Sequence, residues 1–138
     1  MLRGLTTISF FADDVAAAAD WYCQVLGVAP YFTRDVGGAL AYAEFRVGDY
    51  QHELGIIDRR FAPPERSAQV GGAIAYWHVD DVGTSVARLL DLGATTLEKP
   101  VERGPGFVTA SVIDPFGNIL GVMVNQHYLD VLSSRPAG

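Results

Sequence analysis

Residues 13–27, Asp13-Asp14-Val15-Ala16-Ala17-Ala18-Ala19-Asp20-Trp21-Tyr22-Cys23-Gln24-Val25-Leu26-Gly27, carry a helix with both of its ends written in. Asp14 is placed to cap it, because a carboxylate there accepts a bond from a first-turn amide that has no partner inside the helix. Gly27 supplies the left-handed stop. Val15, Ala18, Ala19, Tyr22 and Leu26 recur at three- and four-residue spacing, so one face is apolar and can lie on a sheet. The chain then repeats itself. Asp80-Asp81-Val82 opens a second such segment 67 residues later, and Leu92-Gly93 closes it 66 residues after Leu26-Gly27, with Val82, Val86, Leu89 and Leu90 as the apolar face. A short apolar strand precedes each copy, Thr7–Ala12 and then Ile74–Val79, and β-rich sequence with turn glycines follows each. Repetition at about half of 138 residues predicts two copies of a βαβββ unit, an α+β fold.

Within the first copy, Tyr31–Thr33, Leu40–Val47 and His52–Ile57 read as strands, with turns at Val36-Gly37-Gly38 and Gly48-Asp49. Within the second, Thr95–Glu98, Phe107–Ile113 and Ile119–Asn125 do the same. The half-modules are expected at about 5–58 and 72–125. Pro63-Pro64 and Gly71-Gly72 mark residues 59–71 as the linker. In the tail, 126–138, His127-Tyr128-Leu129 is apolar enough to dock, and Ser133 onward reads as frayed.

Composition narrows the function. At 49% hydrophobic residues the chain can bury one respectable core but is too short for two ordinary domains, so the modules are read as halves of one domain. A net charge of −6, with only 10 lysines and arginines, argues against a nucleic-acid partner, whose phosphates need clustered cations. The lone Cys23 cannot form an internal disulfide and points to a reducing compartment, hence the cytoplasm. Asp13 and Asp14 interrupt the apolar stretch after Met1-Leu2-Arg3, which does not read as an export signal. No run approaches the roughly 20 apolar residues of a membrane span.

Two stretches carry a family resemblance. Asp14 through Trp21-Tyr22 to Val25-Leu26-Gly27, and Asp114-Pro115-Phe116-Gly117-Asn118 before the last strand, resemble the vicinal oxygen chelate superfamily of glyoxalase I, bleomycin and fosfomycin resistance proteins and extradiol dioxygenases. The resemblance covers about residues 5–125. It implies cupped mixed sheets with helices on their outer faces, a cavity or metal site inside the cups, and a homodimer that completes them. The five-residue turn has a local logic: Asp114 and Asn118 can bond nearby amides, Pro115 fixes one dihedral and Gly117 can take positive φ.

Metal-dependent members draw ligands from four positions, which fall here on Thr7, Ile74, Glu53 and Gly121. Only Glu53 is a convincing donor, and a catalytic zinc commonly has three protein ligands. The pattern therefore departs from glyoxalase and ring-cleavage chemistry, and no metal or other cofactor is expected.

Strand alternation then sorts the lining. If Ile8, Phe10 and Ala12 pack under the helices, Thr7, Ser9 and Phe11 face the cavity. Ile74, Tyr76 and His78, Gln51, Glu53 and Gly55, and Ile119, Gly121 and Met123 follow by the same parity, with the two glycines adding room. This mixture of apolar and polar groups suits a small organic molecule. Glu53 reads either as a ligand contact or as a solvated or paired carboxylate, and His78 either as a ligand contact or proton shuttle or as a partner of Asp80 or backbone. Glu44 and Arg46 share a strand face and read as a solvent-exposed pair. The expected function is binding of a small aromatic or amphipathic molecule without metal. The alternative is a lyase, isomerase or dioxygenase-type enzyme using Glu53 and His78, with or without a divalent metal.

Overall fold

Both capping aspartates do what their positions predict in the computed structural model, which describes residues 1–65 and 69–136. Asp14 accepts from the Ala17 amide at 3.0 Å ahead of α1 (Val15–Leu26), and Gly27, at φ 70°, closes the helix through its amide on the Cys23 carbonyl. Asp81 accepts from the Thr84 amide at 2.7 Å ahead of α2 (Val82–Asp91). The second helix ends differently: Leu92 caps it in a right-handed conformation, and Gly93 takes the positive φ, 106°, one residue later.

The chain divides into two units, Met1–Gln69 with Phe116–Asn118, and Val70–Pro115 with Ile119–Gly138. The first unit holds β1 (Thr7–Ala12), β2 (Phe32–Val36), β3 (Ala39–Val47) and β4 (His52–Asp58) in the order β1-β4-β3-β2. The second holds β5 (Tyr76–His78), β6 (Thr95–Gly104), β7 (Phe107–Ile113) and β8 (Ile119–Asn125) in the order β5-β8-β7-β6. In both sheets the first strand runs parallel to the last, because the helix between them carries the chain back, and the other neighbours are antiparallel. Each unit is thus a βαβββ module with a mixed four-stranded sheet.

Alternation decides what the helices cover. Val15, Ala18, Ala19 and Tyr22 of α1 are buried, as are Phe10 and Ala12 of β1, Ala41, Ala43 and Phe45 of β3, and Leu54 and Ile56 of β4. Each fully buried Leu, Ile or Phe contributes about 1.5–3 kcal/mol relative to exposure. In the second unit Val82, Val86 and Leu89 of α2 are buried together with Ala110, Val112, Leu120 and Val122. Leu90, expected on that face, is 39% exposed.

Several boundaries differ from the sequence reading. Strand β6 runs on to Gly104, with register shifts on both sides of Pro100, because an edge strand can carry a proline at a bulge where no ladder bond is needed. Strand β5 is shorter than Ile74–Val79, although the Ala75 carbonyl and the Val79 amide still bond β8. Beyond β8 the tail forms α3 (Gln126–Ser134), capped by Asn125, whose side-chain oxygen accepts from the Tyr128 amide at 3.3 Å. The linker reading of 59–71 includes a 3-10 turn at Arg59–Phe61, and its residues 66–68 lie outside the described residues, as do the last two of the tail. Asn118 bonds far from its own turn. Its amide oxygen accepts from the Phe11 amide at 3.1 Å and its amide nitrogen donates to the Phe11 carbonyl at 3.0 Å, covering the open edge of β1 as a further strand would.

Candidate functional site

The face of the first sheet turned away from α1 collects a set of side chains fixed by register. Thr7 lies opposite Glu53, Ser9 opposite Gly55, Glu44 opposite Gly55, and Arg46 opposite Glu53. Tyr42 lies opposite Ile57 on one side and Arg34 on the other, and Phe32 lies opposite Glu44. Since pairs in register share a face, Thr7, Ser9, Phe32, Arg34, Tyr42, Glu44, Arg46, Glu53 and Ile57 form one continuous surface.

Glu53 is its polar hub. The Thr7 hydroxyl donates to its Oε2 at 3.0 Å and the Tyr31 hydroxyl to its Oε1 at 3.0 Å. The Arg46 guanidinium lies over the Tyr31 ring, 4.2 Å from its centre. Glu44 lies diagonally across β3 and β4 from Glu53, and the interaction between the two carboxyls moves their titrations apart. The bond from Glu44, then those from Thr7 and Tyr31, hold Glu53 below the usual carboxylate range, and Arg46 adds to this. Burial, then the bond to Glu53, pushes Glu44 up. Tyr31 is raised by burial and by its bonds to both glutamates, and Tyr42 is pushed up to about 12 by burial and then by the Glu44 charge. One carboxyl is thereby disposed to hold a proton and its neighbour to give one up.

Beside this network the same face opens into a depression of about 450 Å³, lined by Phe32, Arg34, Val36, Ala41, Tyr42, Ile57 and Phe61. The ring of Tyr42 is 6.1 Å from that of Phe32 and belongs to both the apolar depression and the carboxyl network. Phe61 comes from the 3-10 turn after β4. This size and lining suit a small organic molecule with an apolar body.

The residues expected to line the site are distributed between the units. Thr7 and Glu53 lie together in the network, and Ser9 is exposed on the same face. Phe11 is 7% exposed, with its backbone held by Asn118. Gln51 sits in the turn before β4 at φ 54°, and its side-chain amide donates to the Gly48 carbonyl at 2.8 Å. Gly55 does not add room: a Cβ there would stand 3.0 Å from the Tyr42 hydroxyl, so the glycine admits that ring. In the second unit Tyr76 and His78 lie opposite Gly121 and Met123, and Ile119 lies opposite Ile113. Gly121 does not add room either, because a Cβ would meet the Tyr76 ring at 2.7 Å, the Ala75 carbonyl at 2.8 Å and Ile74 at 2.9 Å. His78 Nδ1 accepts from the Asn125 amide at 3.2 Å, so the ring proton sits on Nε2, and the ring stacks 4.5 Å from Tyr128. The Met123 sulfur accepts weakly from the Asn125 side-chain amide at 3.7 Å.

Of the four positions where the resemblance implies metal ligands, Ile74 and Gly121 bring no side-chain donor, and the Thr7 hydroxyl donates to Glu53. Among the described residues no three His, Cys, Asp or Glu side chains are grouped so as to hold an ion.

Sequence reasoning missed the roles of Tyr31, Tyr42, Glu44 and Arg46. The signal was present in Tyr42-x-Glu44-x-Arg46, whose alternation puts three functional side chains on one face. The shared face of Glu44 and Arg46 was legible, but Glu44 acts on Glu53 and Arg46 stacks on Tyr31 instead of the two pairing across solvent.

The family model described as Glyoxalase/Bleomycin resistance protein/Dioxygenase superfamily matches residues 4–122. No curated protein matches the chain in sequence. Among solved structures, a glyoxalase-related enzyme from Fulvimarina pelagi superposes with a TM-score of 0.70 at 20% identity, over 91% of this chain and 90% of its own. The protein ATC0852 from Agrobacterium tumefaciens does so with a TM-score of 0.72 at 21% identity, over 90% and 98%. TioX from Micromonospora sp. ML1 gives 0.63 at 17%, over 88% and 98%. At these identities the likeness is one of fold.

Proposed function

The chain belongs to the Glyoxalase/Bleomycin resistance protein/Dioxygenase superfamily, and from that premise we propose that it binds a small aromatic or amphipathic molecule on the first module's sheet, without a metal. The observation that carries this is the juxtaposition of a 450 Å³ apolar depression with the Thr7, Tyr31, Glu44 and Glu53 network on one sheet face. An aromatic body would lie against Phe32, Tyr42, Ile57 and Phe61, and a polar substituent would reach the network. The acting form in this proposal is a homodimer in the cytoplasm. Its support is the family, the exposure of Phe32 and Val36 on edge strand β2, and the free thiol of Cys23. The test is amide NMR during titration with uncharged naphthalene derivatives. Shifts concentrated in β2, β3 and β4, lost in Ile57→Asp, are expected; no saturable shifts at millimolar probe would end the proposal.

A second reading is favoured by the opposite displacement of two neighbouring carboxyls, the arrangement that lets one act as base while the other holds a proton. In it Glu53 takes a proton from a bound substrate and Glu44 returns one, with no metal. His78, in the second unit and held by Asn125 and Tyr128, is not needed for this pair. Turnover abolished in Glu53→Gln with binding retained would establish it; unchanged turnover in that variant would remove it.

A further inference from the structure

Arg34 is the cationic residue among those that line the depression beside the carboxyl network, and its surroundings set it apart from Arg46, Arg59, Arg60 and Arg103. Arg59 is held by Asp13 at 2.9 Å, Arg60 by Asp58 at 2.9 Å, Arg103 by Glu98, and Arg46 lies over Tyr31. Arg34 has no ion pair or hydrogen bond to any described residue, yet its strand register places it opposite Tyr42, and it lines the depression with Phe32, Val36, Ile57 and Phe61. A guanidinium is weakly hydrated for a cation, lies readily along aromatic surfaces, and presents a planar fork that matches a carboxylate or sulfonate. In a chain with net charge −6, and on a face where Glu53 repels anions, this is where an anionic group would find a counter-ion.

Resting on the reading of this depression as a ligand site, we infer that the ligand is an aromatic molecule bearing an anionic substituent, with Arg34 as its counter-ion. The apolar body fills the space between Phe32, Tyr42, Ile57 and Phe61, and the acid group lies at the β2 edge. This orients the ligand, because its charged end is drawn to Arg34 and driven from Glu53, so that the uncharged end points to Tyr31 and the carboxyls.

The test compares 2-naphthoate, 2-naphthalenemethanol and 2-naphthylmethylamine, alike in shape and different in charge, by calorimetric titration of the full chain and of Arg34→Gln. The expected result is a preference for naphthoate over the alcohol of about tenfold, the scale of one charge-assisted contact, which shrinks toward unity in Arg34→Gln and at high salt. Equal binding of the acid and the alcohol, tighter binding of the amine, or a naphthoate preference that survives Arg34→Gln overturns the assignment to Arg34. If the alcohol nonetheless shifts amides in β2–β4, the depression stands as a ligand site and only its anion preference falls. If none of the three binds, both readings fall. Arg34 is exposed on an edge strand, so the variant is expected to fold, and its amide spectrum checks that directly.

Discussion

Two carboxyls on neighbouring strands titrate as a pair, and each shift has its own consequence for pH. Glu53 is held low, so its interactions favour the fold above the ordinary carboxylate range and are lost as pH falls through its lowered pKa. Glu44 is raised, so it favours the fold at acidic pH, and that contribution is lost as pH rises through its raised pKa. The two effects oppose one another and flatten the acid limb of the stability profile. Carboxyl carbon NMR should find one midpoint above and one below the usual glutamate value, and Glu53→Gln should bring Glu44 back down, leaving burial opposed by Tyr31 and Tyr42. Coincident, ordinary midpoints would show that the two carboxyls do not act on one another. The glycines under the two tyrosine rings make a second residue-scale prediction. In Gly121→Ala the new Cβ meets a backbone carbonyl at 2.8 Å as well as two side chains, which overpacking puts at about 1–3 kcal/mol. In Gly55→Ala it meets only the Tyr42 ring, which can tilt. Urea denaturation should therefore show Gly121→Ala to be the more damaging of the two.

At the scale of elements, caps and edges decide more than the strands themselves. Asp14→Ala removes the acceptor for the Ala17 amide and should cost about 1 kcal/mol in urea denaturation, as helix caps do. Asn118→Ala should cost more, about 1–3 kcal/mol, because it takes the Asn118 acceptor from the buried Phe11 amide and one donor from the Phe11 carbonyl, which Arg59 also reaches at 3.4 Å. A cost within error of zero would mean that water replaces the side chain there. Both helices were legible from Asp, apolar spacing and Gly, since capping and periodicity are local. The use of Asn118 was not legible, because a turn residue's partner 107 positions away leaves no local trace. Nor was α3: Gln126–Ser134 buries no residue fully, and its weak apolar pattern gave the sequence reading little to hold.

At the scale of the molecule, the two halves repeat in topology and differ in chemistry. Ser9 opposite Gly55 corresponds to Tyr76 opposite Gly121, each five residues before its capping aspartate. Following that register, Glu53 becomes Ile119, Glu44 becomes Ser111 and Arg46 becomes Ile113. The charged hub therefore exists in the first module and has no charged counterpart in the second, where Tyr76 also fills the space above Gly121. Titration should end at one probe per chain, and a value of two would show that the second module binds as well. Sedimentation at micromolar concentration should find a particle of two chains, as the proposal requires; a 14.9 kDa particle would restrict the site to one chain.

What the sequence determined by itself is the doubled βαβββ plan, since capping, helical spacing and turn glycines act over a few residues and recur at half the chain length. It also determined that Glu53 and Thr7 share a face, because alternation along a strand is strict. Only the tertiary structure decided that Tyr31, Tyr42, Glu44 and Arg46 join them, and that Gly55 and Gly121 accommodate rings instead of opening a pocket. Those outcomes depend on cross-strand register and on side chains lying across neighbouring strands, and neither is encoded in the spacing of any one segment.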